Sequence, residues 1–457
     1  MHKLTPDTPT RRSPAPTKKV LYVPYIIFEI PSNLLIKKVG PARWIPGLVT
    51  VWGIVSTLQG IVTTKTGLYI VRAFLGFAEA GILPGIALYL TFFYKPHEIH
   101  LRQALYFSGS SLSGAFSGLL STAIGKMDGL AGLRGWSWIF ILEGIFTVLF
   151  GVLCLWILPN GPNKLWWVTP AERQLATSRM ETTTFDSTSK AAGSGMGSEA
   201  KTEDAAAITT KDKHDLTDRQ FVFKELLRTF TDPLVLLFCA SGYTYATGLY
   251  SLAFFSPSII KSLDNYTAVQ AQLLSAPPNA VAFVVSVAVA VASDRFKWRY
   301  PAAMFCIILA IIGFAVTYAS MTPSVRYGGI IILSSGIYSI PPVGISWMLN
   351  NTASHYKRAC SIALYIVFTN SGGITSNWLF NDNEAPRYKR GFLVNLALCS
   401  LSAVIVTLAE LYIMWEKKQR KLGKRDWRVN ELRAKGWDEE KIRVYLGDRH
   451  PNYELTL

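Results

Sequence analysis

Arg72 and Glu79 are the side chains best placed to do chemistry, because both lie in one long apolar stretch, seven positions apart. Seven residues at 3.6 per turn bring two side chains back to within about 20° of one helix face. At about 1.5 Å per residue they stand roughly 10 Å apart along the axis, beyond the reach of i,i+4 pairing. An isolated charge at the centre of a membrane helix costs about 2.5–3.5 kcal/mol on insertion scales. Each therefore calls for a partner on another helix, a watery cavity or a ligand; a packing network between helices is the alternative. An Arg fork facing a cavity suits a carboxylate, since it can hold two oxygens at once. A Glu partly out of water can take up or release a proton near neutrality. An anion drawn into a negative interior works against about 2.3 kcal/mol per 100 mV. One accompanying proton cancels that charge, and each unit of inward pH gradient adds about 1.4 kcal/mol of drive.

The elements that must position this pair are membrane helices. Half of the 457 residues are hydrophobic and 17% are charged, against roughly a quarter charged in soluble domains. Apolar stretches of about 18 residues or more, long enough to cross a bilayer, recur at 20–36, 44–62, 68–94, 103–124, 136–158, 233–256, 269–292, 302–320, 327–349, 359–380 and 392–415. The expectation is an all-α integral membrane protein of about eleven spans, five before the segment 159–232 and six after it. The chain then divides into an N-terminal tail (1–19), a first helical bundle (20–158), a linker (159–232), a second bundle (233–415) and a basic tail (416–457). From 182 to 210 the linker is rich in Ser, Thr, Gly, Ala and Lys, without an apolar stripe, and reads as disordered.

The formal net charge of +16 raises nucleic-acid binding, but the excess sits in short loops and in the tail after Trp415. The positive-inside rule explains it more simply and puts the tail in the cytoplasm. Cys154, Cys239, Cys306, Cys360 and Cys399 lie in or beside apolar runs without metal-ligand spacing, so no metal or cofactor is expected. Asn265 heads an Asn-Tyr-Thr glycosylation sequon in an expected external loop. No spacing of nucleophile, base and orienting acid supports an enzyme.

The halves resemble each other: KKVGPARWIP follows the first span, and SDRFKWRYP follows the second span of the second half. As repeats, they leave the first half without an opening helix. The loop SDRFKWR, with Asp294 and Arg295, resembles the Asp-Arg loop signature of the major facilitator superfamily, and VRAFLGFAEAG its fourth-helix Arg-Gly signature. FEIPSNLLIKKVGPARW, GWSWIFILEG and NDNEAPRYKRG resemble the fungal allantoate permease branch of the anion:cation symporter family. The likeness runs from Val20 to about Trp415. Family members carry a first helix ending in an Asp-Arg-Ser-Asn-like string, which nothing before Val20 supplies.

The resemblance implies a two-bundle major facilitator fold and proton-linked symport of a small carboxylate, such as a vitamin or nitrogen-source compound. It implies a monomeric carrier in the plasma membrane. Arg72 would bind substrate and Glu79 would couple the proton. Tyr25, Trp347, Asn351 and Asn370 would shape the pocket, while Asp294 and Arg295 would form a gate contact. Glu29 either serves the site or makes a capping or inter-helix hydrogen bond, Glu143 reads as structural, and Tyr243 and Tyr245 either face the cavity or serve aromatic packing, with packing favoured. A non-transporting nutrient sensor of the same fold, and an inactive truncated product, remain as alternatives.

Overall fold

The computed structural model describes residues 15–94, 98–178, 228–264, 266–353, 355–380, 384 and 387–456. The expected disordered stretch at 182–210 and the sequon residue Asn265 lie outside them. The described residues are helical, with no strand among them. In the first half, α1 (Ala15–Val39), α2 (Pro41–Gly60), α3 (Lys65–Glu79), α4 (Ile82–Phe93), α5 (Ile99–Gly125) and α6 (Gly135–Ile157) follow one another. The second half holds α7 (Pro233–Lys261), α8 (Ala268–Leu274), α9 (Ala276–Phe296), α10 (Tyr300–Ala319), α11 (Pro323–Ile337), α12 (Ile340–Asn350), α13 (His355–Ser376) and α14 (Lys389–Lys421). Two short helices, α15 (Trp427–Ala434) and α16 (Glu439–Leu446), complete the chain.

Six helical runs are long and apolar enough to cross a membrane by length and composition: Lys65–Phe93, Gly135–Ile157, Val269–Phe296, Tyr300–Ala319, Pro323–Asn350 and Lys389–Lys421. The helices α1, α2, α5, α7 and α13 are more polar but also reach 20 residues or more. Three spans that read as continuous in the sequence are broken in the fold. Pro341 and Pro342 open α12, and Pro277 and Pro278 open α9; a proline in the first turn loses no hydrogen bond because its amide would have no partner there. The third break, between α3 and α4, turns on Gly81 at φ 86°, a left-handed conformation that residues with a Cβ adopt at a cost.

Small residues set the helix spacing. Gly53 of α2 lies against the backbone of Gly144 on α6, and a Cβ on Gly144 would sit 2.6 Å from the Thr57 amide nitrogen. Such close approach is the usual means of holding membrane helices together, where lipid offers no hydrophobic drive between them. In the second half α7 is the hub, packed along α13 and α14. The halves meet where α1 lies on α13 and α5 on α9.

The C-terminal segment folds back on the second half. Lys357, at the very start of α13 and outside the span, holds Asp232 Oδ2 and Asp448 Oδ2, each at 2.5 Å. Arg420 donates to the carbonyls of Asp448 and Tyr453 at 2.9 Å, and Leu455 is buried in the main core.

Two outcomes follow from this packing. A Cβ on Gly76 would stand 2.1 Å from the Leu21 carbonyl oxygen of α1, so Gly76→Leu must part α1 from α3. It should lower the thermal unfolding midpoint sharply, at a cost of about 3 kcal/mol or more, whereas Gly47→Ala, with open space around it, should not. Lys357→Met would leave two half-buried carboxylates without their shared cation and should expose the segment after α14 to protease. The two carboxylates hold the Lys357 ammonium above its ordinary value, whereas burial pushes Asp448 up. A raised lysine stabilises fully below its unfolded value of about 10.4 and loses that stabilisation as pH rises through the folded value. A raised Asp gains relative stability as pH falls, so acid does not release the segment. Protection from protease should therefore hold from acid to neutral pH and fail only in strong alkali.

Candidate functional site

A cavity of about 550 Å³ lies where the two halves meet. Its lining comes from α1 (Tyr22, Tyr25), the end of α3 (Glu79), α5 (Ser110, Ser113, Ser117), α7 (Tyr245, Tyr250, Phe254), α8 (Gln272), α9 (Asn279) and α13 (Tyr365, Asn370). Each contribution follows from local sequence. On α1, Tyr22 and Tyr25 share a face with Glu29 and Asn33, and all four are buried. On α5, the serines repeat at intervals of three and four and so form one polar stripe. On α3, Glu79 is the last helical residue before the Gly81 break.

Glu79 is the one charged side chain among the described residues that line the cavity. Tyr22, Tyr25, Tyr106 and Tyr250 all lie within its electrostatic reach. The Tyr250 hydroxyl donates to Asn370 Oδ1 at 2.6 Å. The Asn370 amide nitrogen is buried beside the Tyr25 hydroxyl, with no hydrogen bond of standard geometry. Tyr245 and Tyr365 share a hydrogen bond at 2.8 Å between their hydroxyls. The cavity therefore offers phenol, amide and hydroxyl donors around one acid, between aromatic walls. Such a chamber suits a small planar or partly apolar molecule with a polar end.

Of the residues that sequence reading nominated, Glu79, Tyr25 and Asn370 come together here. Arg72 does not line the cavity: it sits two turns nearer the start of α3, half-buried, and its Nε has no hydrogen-bond partner among the described residues. It remains close enough to act electrostatically on Glu79. Trp347 and Asn351 are elsewhere. Trp347 is fully buried against Phe238 and Tyr300, and its indole nitrogen donates to the Thr456 carbonyl at 3.1 Å. Asn351 donates to the same carbonyl at 3.0 Å and accepts from the Thr456 amide at 2.8 Å. Both hold the chain's end rather than face the cavity, because the returning tail meets their polar atoms first.

Asp294 joins the two halves at the end of α9. Its Oδ2 accepts from the Leu101 amide at 2.9 Å, in the first turn of α5, where the helix dipole favours an anion. Arg299 pairs with Asp294 at 2.7 Å and reaches His100 Nδ1 at 2.6 Å. Arg295 is exposed, so the arginine that closes this contact is Arg299. The cavity lies beyond it, toward Ser117 and Pro257 near the opposite helix ends. Sequence reading missed Tyr22 and Tyr250, and favoured packing for Tyr245 while allowing that it could face the cavity. The signal available was a run of tyrosines on α1 and α7, together with the serine stripe of α5.

A family model described as the Major Facilitator Superfamily matches residues 20–376. An uncharacterized transporter of Schizosaccharomyces pombe is 32% identical over 406 residues, covering 88% of this chain and 75% of that relative. The high-affinity nicotinic acid transporter of Saccharomyces cerevisiae is 26% identical over 436 residues, covering 95% and 74%. Among solved structures, the proton:xylose symporter XylE bound to 6-bromo-6-deoxy-D-glucose is similar with a TM-score of 0.60 at 14% identity, covering 84% of this chain and 83% of that one. The Escherichia coli fucose:proton symporter FucP is similar at 0.56 and 12%, covering 86% and 90%; these two likenesses concern the fold. With a family model over most of its length, relatives named as transporters and a shared helical architecture, this chain belongs to the Major Facilitator Superfamily and is a membrane transporter.

Proposed function

We propose that the protein is a proton-coupled symporter of a small organic anion, in the allantoate permease-like branch of the anion:cation symporters. It works by alternating access between the bundles at 20–158 and 233–415. It acts as a monomer in the plasma membrane, with its C-terminus in the cytoplasm. The observation that carries this reading is Glu79, a lone acid in a cavity lined otherwise by neutral side chains. The relative named for nicotinic acid supports a small carboxylate as cargo.

The geometry orders the events. While Glu79 is ionised, a carboxylate entering the chamber meets like charge with no cation in the lining, and in a low-dielectric setting that repulsion is large. Once Glu79 takes a proton, the chamber presents only donors: its own acid proton, the phenols of Tyr22, Tyr25 and Tyr250, and the Asn370 amide. A carboxylate can then be satisfied without a facing charge. Proton binding therefore precedes anion binding, and neither cargo crosses alone. Arg72 acts one helical repeat away, drawing anions toward the site without gripping them. The Asp294–Arg299–His100 contact closes the end of the chamber at the basic loops, which the charge distribution puts in the cytoplasm. Reorientation must break that contact and seal the opposite end.

Glu79→Gln in the full-length chain should reach the membrane normally and lose proton-driven uptake, tested with nicotinate and other small carboxylates in cells or proteoliposomes. Exchange of labelled substrate without a gradient should survive in this variant, since the amide resembles the protonated acid. Arg72→Ala should raise KM several-fold more than it lowers kcat. Undiminished gradient-driven uptake by Glu79→Gln would remove the assignment.

A further inference from the structure

Glu29 is 0% exposed on α1, one turn beyond Tyr25, and neither carboxyl oxygen has a hydrogen bond of standard geometry among the described residues. Asn33, one turn further along the same face, is 2% exposed and has neither of its amide atoms partnered. Both lie on the α1 face that meets the α3–α4 break, where Ser32 donates to the Ala80 carbonyl at 3.1 Å. The Gly81 backbone amide lies near the Glu29 carboxyl, and Glu79 is within its electrostatic reach. The titratable groups that act on or answer to Glu29 are Tyr25 on its own helix, Glu79 on α3 and Tyr250 on α7. Among the described residues α2, α4 and α13, which also pack on α1, bring no charged group to bear on it. A buried ionised carboxyl without counter-charge or hydrogen bonds is among the costliest groups a fold can hold. A proton removes that cost with no change of volume, whereas a metal ion would need a set of oxygen ligands.

We propose that Glu29 is a second proton-binding site, reached from the cavity along the α1 face through Tyr25 and facing Glu79 across the break between α3 and α4. Each carboxyl, when ionised, favours the proton on the other, so the pair can pass a proton from the chamber toward the closed end of α1 and back. Release from Glu29 requires the break to move, because only then can water and backbone amides at the break donate to its ionised oxygens. The proposal extends the reading of Glu79 as a proton carrier, and its test keeps the two apart.

The test is infrared absorption of the purified full-length chain in lipid nanodiscs, recorded against pH in light and heavy water without added substrate. At a pH where surface carboxyls are ionised, the parent should keep a carboxylic-acid carbonyl band with a component that Glu29→Gln removes and Glu29→Asp shifts. In Glu79→Gln that component should persist and its titration midpoint should move to lower pH, because a neighbouring negative charge has gone. Should Glu29→Gln fail to fold, judged by its thermal midpoint, the shift in Glu29→Asp carries the test. Spectra of both Glu29 variants that superimpose on the parent at every pH overturn the proposal, as does a component that disappears when sodium is added at constant pH. If Glu79→Gln leaves the whole acid band unchanged while Glu29→Gln removes a component, the carrier role of Glu79 and its pairing with Glu29 fall, and Glu29 stands only as a proton site of its own.

Discussion

An acid side chain held in a cavity with no cation beside it is the constraint on which the rest depends. In water two like charges at contact distance repel by about 1 kcal/mol, but with the effective dielectric of a protein interior the figure rises several-fold. On the proposed reading, a carboxylate cargo and an ionised Glu79 therefore disfavour each other in one chamber. The rest of the lining does not relieve this repulsion: its other polar groups are phenols, hydroxyls and amides, which can donate to an anion without neutralising a second one. The proposed coupling then needs no long-range signal. It is a matter of which charges can share about 550 Å³.

The fold serves this constraint through close backbone approach and broken helices. Gly76 lets α1 lie directly on α3, which brings Tyr22 and Tyr25 around Glu79. Gly81 then ends α3 just past Glu79, and a Cβ at this position would meet Ser32 Oγ at 2.0 Å. At the far end, Asp294 on the first turn of α5 ties one half to the other. The cavity and the tie lie where the two halves meet, α1 on α13 and α5 on α9, while the break packs against α1. A movement of one half against the other must act on the cavity and on the tie. The returning C-terminal segment stiffens the ends of α12, α13 and α14 on the second half alone, so that half can move as a body.

Much of this was legible in the sequence, and what was not has physical reasons. Apolar length found the spans, because a bilayer leaves backbone groups no partners but their own helix. Glu79 stood out because an intramembrane acid needs a function or a partner. Arg72 stood out equally, yet the seven-residue spacing gave its direction around the helix and not its depth, and the cavity lies around the lower of the two. Trp347 and Asn351 looked like pocket residues because aromatic and amide groups in apolar helices suit a ligand. Their partner is instead the Thr456 backbone, more than 100 residues away in sequence, and no local pattern announces such a contact. Arg295 was favoured by its place beside Asp294, but on a helix adjacent residues point about 100° apart, and the later Arg299 turns back onto the acid. The tyrosines escaped notice because single aromatics in apolar spans are ordinary. What marks Tyr22 and Tyr250 is that helices from different halves bring their rings together at 6.1 Å.

The most direct test of the central claim is proton uptake on binding. Small carboxylates headed by nicotinate are added to purified protein in weakly buffered solution near neutral pH, and a pH indicator reads the change alongside bound ligand. Each carboxylate that binds should draw protons from solution in the parent, and Glu79→Gln should bind it with that uptake diminished or gone. Binding to the parent with no proton taken up, or an uptake unchanged in Glu79→Gln, would contradict the account.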